Sequence, residues 1–237
     1  MGAAACRAVD RAGDLQLVLA VDKGWSTDEL RSSGAKVAID LTVPDVTESN
    51  VHAAIDLGVH AVVGTSGWTE ESLTRVRSHL DQVPGVGVLV APNFALGAVL
   101  AMVLAAQVAP YFESVEVVEM HHPDKIDAPS GTARATASAI AAARSRAGLG
   151  QIPDATATAL DGARGADVDG VPVHAVRLRG LVAHEEILFG NQGEQLTIRH
   201  DSLDRASFMP GVLLGVRKVA DHPGLTVGLE KYLNLEG

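Results

Sequence analysis

Cysteine is almost missing. Cys6 is the single one, so no disulfide can form within the chain, and such sparing use of thiols suits a reducing, cytoplasmic setting. Aromatic residues make up only 3%, too few for a Tyr- and Trp-rich recognition surface. Basic residues are the minority, 19 against 29 acidic for a net charge of -10, which excludes a general binder of the phosphate backbone, and no nucleic-acid partner is expected. A local cationic patch for a small anion stays compatible with that total. Long apolar runs are also absent. The nearest is Phe94–Ala109, with Gln107 its only strongly polar side chain, and it falls short of the roughly 20 residues a membrane span needs. Pro92 and Asn93 precede it and Pro110 follows, so a buried core helix is expected and no membrane partner. The opening Met-Gly-Ala-Ala-Ala-Cys-Arg is too short an apolar run for a signal peptide, and Arg7 suits a myristoylation signal poorly.

The 237 residues, 47% hydrophobic and 20% charged, describe a globular protein of one or two domains. Ala, Val and Gly carry much of the apolar content, which favours helices packed closely on a parallel sheet. In the first half, short β-rich runs at Leu15–Val21, Lys36–Leu41, Val59–Val63 and Val86–Ala91 alternate with helical stretches at Thr27–Ser33, Asp45–Leu57 and Glu70–Gln82. Pro44 fits the first turn and Gly58 the C-terminal cap of the second helix. Repeated strand–helix–strand units mean a parallel sheet, whose ligands sit at the carboxyl ends of its strands. The loops there are Val21–Gly24, Gly64–Gly67 and Ala91–Phe94. From Ser114 the texture changes. Ser114–Met120 alternates polar and apolar residues as a half-solvated strand does. A polar loop and an Ala-rich helix over Ala133–Arg146 follow, then a long loop over Gly150–Gly170. Val171–Leu178, Glu185–Phe189 and Glu194–His200 read as antiparallel strands with a turn at Gly190–Gly193, and a last helix covers about Arg205–Ala220. The fold class is therefore α/β, a Rossmann-like parallel sheet followed by an α+β half with a mixed sheet.

The chemistry concentrates in Glu119–Ala133. Two His, one Lys and three carboxylates fall between Glu119 and Asp127, after a strand and before a helix. Ser130 or Thr132 can cap that helix, and Gly131 lets a ligand approach the backbone. The free N–H groups and the positive end of the helix dipole favour an anion, to which Lys125 adds a full charge. The block reads as a place to hold a carboxylate or phosphate beside a proton donor. A bound metal is not expected: adjacent His121 and His122 point to opposite sides of a strand, and the i, i+4 His pair and Cys pairs of zinc sites are absent.

The segment Glu116-x-x-Glu119-x-His121-x-x-x-Lys125-x-Asp127-x-Pro129-Ser-Gly-Thr-Ala133 resembles the signature of the dihydrodipicolinate reductase family. So do the Gly64-Thr65 loop, Ala91-Pro92-Asn93-Phe94, the stretch from Gly162 to Arg177, and Arg199-His-Asp201-Ser. The resemblance implies reduction of 4-hydroxy-tetrahydrodipicolinate, a small dicarboxylate, to tetrahydrodipicolinate with NADPH or NADH, on the route to diaminopimelate and lysine. It implies that His121 is the general acid/base, Lys125 a proton donor, and His122, Ser130, Gly131 and Thr132 substrate ligands. Gly64, Thr65, Ser66, Ala91, Pro92, Asn93 and Phe94 would line the nicotinamide side of the cofactor, and Asp22 would meet the adenosine ribose. It implies a dinucleotide-binding domain over 1–95 and 205–237, a substrate-binding and oligomerisation domain over 96–204, and a homotetramer. Two departures stand out. Asp124 puts a negative charge beside the anion site. The family also begins with a strand and a Gly-rich pyrophosphate loop, of which Met1–Ala4 matches the tail, with Gly2 as its last glycine. The expectation is a natural chain longer by that strand and loop, with an inactive truncated copy as the alternative. Two other functions are weighed: a related amino-acid dehydrogenase, and a metabolite-binding protein that kept the fold without catalysis.

Asp22 accepts from a ribose 2′-OH but repels a 2′-phosphate, and Lys23 beside it offsets that repulsion. Both cofactors should therefore serve. The ratio of kcat/KM for NADH and NADPH measures this, and a preference beyond about a hundredfold, roughly 2.7 kcal/mol, contradicts it.

Overall fold

A computed structural model describes residues 1–22, 24–233 and 235. Two compact units emerge, one of Met1–Ala95 with Arg205–Gly237 and one of Leu96–Asp204. Strands and helices are numbered along the whole chain.

The first unit holds a parallel sheet in the order β1 (Val37–Asp40), β2 (His60–Val63), β3 (Gly87–Val90) and β9 (Gly224–Val227). Its helices are α1 (Gly2–Arg11), α2 (Thr27–Ser33), α3 (Pro44–Asp56), α4 (Glu70–Leu80) and α7 (Met209–Lys218). Local chemistry sets their ends. Ser26 caps α2 and Thr69 caps α4, each accepting from the third helical amide, and Pro44 occupies the first turn of α3, where its missing N–H costs nothing. Gly58 follows α3 at φ +69°, a conformation that other residues adopt only with strain. β2 and β3 are continuous apolar runs because both faces of a parallel sheet are covered at its centre: Val62, Val63, Val88 and Leu89 are fully buried, and Val76 of α4 shares a core cluster with Val63 and Val88.

The second unit is built on a mixed sheet in the order β5 (Ala166–Val168), β6 (Val171–Arg177), β4 (Ser114–His121), β7 (Ala183–Asn191) and β8 (Glu194–Ser202). Helices α5 (Leu96–Val108) and α6 (Gly131–Arg146) pack together and against this sheet. Side chains alternate across a strand, so Val115 and Val117 of β4 lie on one face, with Ile187 and Phe189 of β7 and Val171 and Val173 of β6. That face makes the core with Ala101, Ala105, Ala137 and Ile140 of the two helices. α5 is a core helix, although Leu104 is half-exposed.

Three expectations are corrected. Leu15–Val21 is not a buried strand: its burial alternates between half-buried and exposed, and it joins no ladder among the described residues. A strand exists only through a hydrogen-bonded neighbour, and among the described residues none runs beside it. β6 pairs parallel with β4, not antiparallel, because α6 and the loop behind it carry the chain back to the starting edge, the crossover that parallel pairing requires. Side-chain alternation is the same in both arrangements, so it gave no warning. The 150–170 loop contains the short strand β5, and β9 was missed altogether.

Gly211 of α7 sits where a Cβ would collide with the Phe94 carbonyl oxygen and crowd Leu229. Gly211→Ala should lower stability by about 1–3 kcal/mol through forced backbone movement, read from urea unfolding. A change below about 0.5 kcal/mol contradicts this.

Candidate active site

On the core face of β4, residues Val115, Val117, Glu119 and His121 share one parity, so an apolar row turns polar at the strand's end. The same change occurs next door. Glu119 lies opposite Glu185 of β7, which lies opposite His200 of β8, and His121 lies beside Arg177 of β6. Glu119 is fully buried. Its Oε1 accepts from Arg177 Nη2 at 2.8 Å and from the Ser130 amide at 3.0 Å, while its Oε2 accepts from Arg177 Nη1 at 2.8 Å and from His121 Nδ1 at 2.5 Å. Burial pushes this carboxyl up, but the donated hydrogen bonds of Arg177 and His121 outweigh it and hold it below the usual carboxylate range. The ionised oxygen only accepts, so Nδ1 of His121 carries the proton in this contact. Burial pulls the His121 pKa down, and Glu119 opposes that pull without cancelling it.

The following loop closes over this end. Ser130 caps α6, its hydroxyl accepting from the Ala133 amide. No acidic side chain lies in the first turn of α6. Instead Asp127, just upstream, accepts from Lys125 Nζ at 2.6 Å, the Gly131 backbone helps to lower its carboxyl pKa, and its main-chain carbonyl accepts from Arg177 Nη2 at 2.8 Å. Burial raises the Asp127 carboxyl, and Lys125 more than reverses that. The anion site anticipated here thus holds an anion of its own.

Of the residues singled out in the sequence, His121, Lys125, Ser130 and Gly131 converge on this strand–loop–helix junction. Thr132 follows in the first turn of α6, half-buried, while His122 and Asp124 are exposed on the loop. The second group lies in the first unit, at the carboxyl ends of β2 and β3. Gly64 has no room for a side chain, since a Cβ would meet Leu41 Cδ2 at 2.6 Å and Phe94 Cε2 at 2.8 Å. The Ala91 amide donates to Val63 O at 2.9 Å and the Ala95 amide to Asn93 Oδ1 at 2.8 Å. Pro92 and half-buried Asn93 continue that loop, Phe94 is buried and Ser66 exposed. Gly2 opens α1 and Asp22 is exposed beyond the Leu15–Val21 segment; Lys23 lies outside the described residues. Among the described residues no cluster of ligating side chains suits a metal.

Four important residues had no role in the sequence reading, or a different one. Glu119 was noted only as part of the block, and Arg177 only as the end of a stretch that carries the resemblance. Glu185 was passed over, although it shares parity with Ile187 and Phe189, and a carboxylate at a core-parity position is itself a signal. Asp40 ends β1, buried, and its Oδ1 accepts from Thr65 Oγ1 at 2.8 Å, Thr42 Oγ1 at 2.7 Å and Thr47 Oγ1 at 3.2 Å, while its Oδ2 accepts from Asn50 at 2.7 Å. It thereby ties the Thr65 loop to α3.

Residues 97–233 match the family description "Dihydrodipicolinate reductase, C-terminus" and residues 1–94 match "Dihydrodipicolinate reductase, N-terminus". The chain belongs to the dihydrodipicolinate reductase family. Curated relatives named 4-hydroxy-tetrahydrodipicolinate reductase include those of Streptomyces coelicolor, 60% identical over 99% of this chain and 94% of the relative, and Beutenbergia cavernae, 63% identical over 99% and 95%. A solved dipicolinate-bound dihydrodipicolinate reductase from Paenisporosarcina sp. TG-14 is 37% identical, with a TM-score of 0.85 over 98% of this chain and 95% of that one. The amine dehydrogenase of Mycobacterium smegmatis, 12% identical with a TM-score of 0.56, shares the fold alone.

Glu185 supplies a stability test. Burial raises its pKa to about 7, with Thr136 opposing and the Glu119 charge adding to the rise. The folded state therefore binds more protons than the unfolded state between the ordinary carboxyl value and about 7, so this residue costs stability as pH rises through that window and no more above it. Glu185→Gln should gain roughly 2–3 kcal/mol over the parent as pH goes from 5 to 8, measured by urea unfolding. A pH-independent difference contradicts this.

Proposed function

We propose that this chain reduces 4-hydroxy-tetrahydrodipicolinate to tetrahydrodipicolinate with NADPH or NADH, in diaminopimelate and lysine biosynthesis. The observation that carries the reading is the Asp127 contact: a lysine ammonium already holds a carboxylate there, just ahead of the start of α6. A dicarboxylate substrate exchanges with it using the same donors. Lys125, His122, Ser130, Gly131 and Thr132 hold the carboxylates. A reduced nicotinamide, when bound, supplies the hydride, and a proton must reach the neighbouring atom. His121 delivers that proton as general acid, with Glu119 favouring its charged form against burial. Lys125 serves as a second donor.

The unit of 1–95 and 205–237 is the dinucleotide-binding domain, and 96–204 binds substrate and makes the oligomer. The carboxyl ends of β1–β3 suit a dinucleotide on geometric grounds. Gly64 brings backbone close to Phe94, and Asp40 fixes Thr65. Gly64, Thr65, Ser66 and Ala91–Phe94 take the nicotinamide side, Asp22 the ribose, and Gly2 at the start of α1 the pyrophosphate. A homotetramer covers the other face of the mixed sheet, where Val176 stays partly exposed. The enzyme works in the cytoplasm, in keeping with its lone cysteine.

Lys125→Ala should lower kcat for substrate-dependent NADPH oxidation by about 10²–10⁴-fold and weaken dipicolinate binding. Turnover within tenfold of the parent contradicts the reading.

A further inference from the structure

We infer that Glu119 is a positioning residue for this reaction: it holds the His121 ring in the Nδ1–H tautomer, so that Nε2 is the nitrogen left for proton transfer, while Arg177 holds Glu119. The inference rests on His121 acting as the acid.

A neutral imidazole has one donor and one acceptor nitrogen, and whatever the first touches decides what the second offers. Here the first touches a carboxylate that cannot donate. Nor can that carboxylate turn away. Of its four hydrogen bonds, two are a bidentate Arg177 fork and one is the main-chain amide of Ser130, so only the contact with His121 involves a partner able to change its role. The charged and titratable groups around the pair are Arg177 from β6, Glu185 from β7 and Lys125 from the loop.

This arrangement predicts what Glu119→Gln does. The amide NH₂ cannot sit at Oε1, where Arg177 Nη2 and the Ser130 amide both donate. At Oε2 it opposes Arg177 Nη1 but can donate to His121, provided Nδ1 becomes the acceptor. The proton then moves to Nε2, and the ring is presented in the wrong tautomer, as happens when the carboxylate of a catalytic triad is replaced by its amide.

The test is ¹⁵N NMR of the histidine rings in the full chain, with His121 assigned through His121→Asn, together with steady-state kinetics. In the parent protein neutral His121 should be the Nδ1–H tautomer. In Glu119→Gln it should become Nε2–H, with kcat reduced about 10- to 1000-fold and KM within about threefold. A merely structural role would leave the kcat of the folded variant unchanged whatever the tautomer. The parent spectrum tests the inference even if the variant does not fold: an Nε2–H tautomer there overturns it. So does a folded Glu119→Gln that keeps kcat within threefold. Full turnover by His121→Asn instead refutes the acid reading and leaves the tautomer result standing, so the two failures are distinguishable.

Discussion

A carboxylate withdrawn entirely from water stays charged only if donors replace the hydration it has lost. Glu119 meets that condition with a guanidinium fork, a main-chain amide and an imidazole, and much of the second unit follows from the need to assemble them. Arg177 reaches it only because β6 lies parallel to β4, which requires α6 as the crossover. The Ser130 amide reaches it only because the loop from β4 returns to the strand's end to begin that helix. His121 reaches it because i and i+2 share a face. Removing one donor leaves a buried charge partly unpaired, a loss worth several kcal/mol, so strand order, helix start and ring orientation are coupled through one side chain.

Asp40 plays a comparable part in the first unit. It closes β1, is buried like Glu119, and gathers hydroxyl and amide donors from α3 and from the loops after β1 and β2. In both units a strand carries a buried acid at or near its carboxyl end. The acid holds a neighbouring loop in place. Loops so tied lose their conformational entropy on folding rather than on binding.

Much of this was legible in the amino-acid order. Helices with caps, such as α2, α4 and α6, and strands buried on both faces, such as β2 and β3, carry their signal locally. The block from Glu119 to Thr132 stood out through the density of its titratable groups. Pairing was not legible, because alternation in β6 is the same whichever way its neighbour runs. The Leu15–Val21 run has a strand's composition, but composition supplies no neighbour. Arg177 and Glu119 are far apart in the chain, and nothing near either marks the other as its partner. The shared parity of Glu119 and Glu185 with core residues was the clue available and unread.

The 58-residue separation of Glu119 and Arg177 also bears on how the protein folds. Contacts between distant residues form only after the intervening chain has closed, and parallel pairings are slow for that reason. Val115 and Val117 can collapse on α6 locally, but the acid beside them has no counter-ion until β6 docks. A slip of β6 by one residue would turn Arg177 to the opposite face and strand a negative charge in the core. The buried ion pair is therefore a proofreader of register: misaligned sheets are penalised at the Glu119–Arg177 contact, and a chain that has satisfied Glu119 has also set the His121 ring in place.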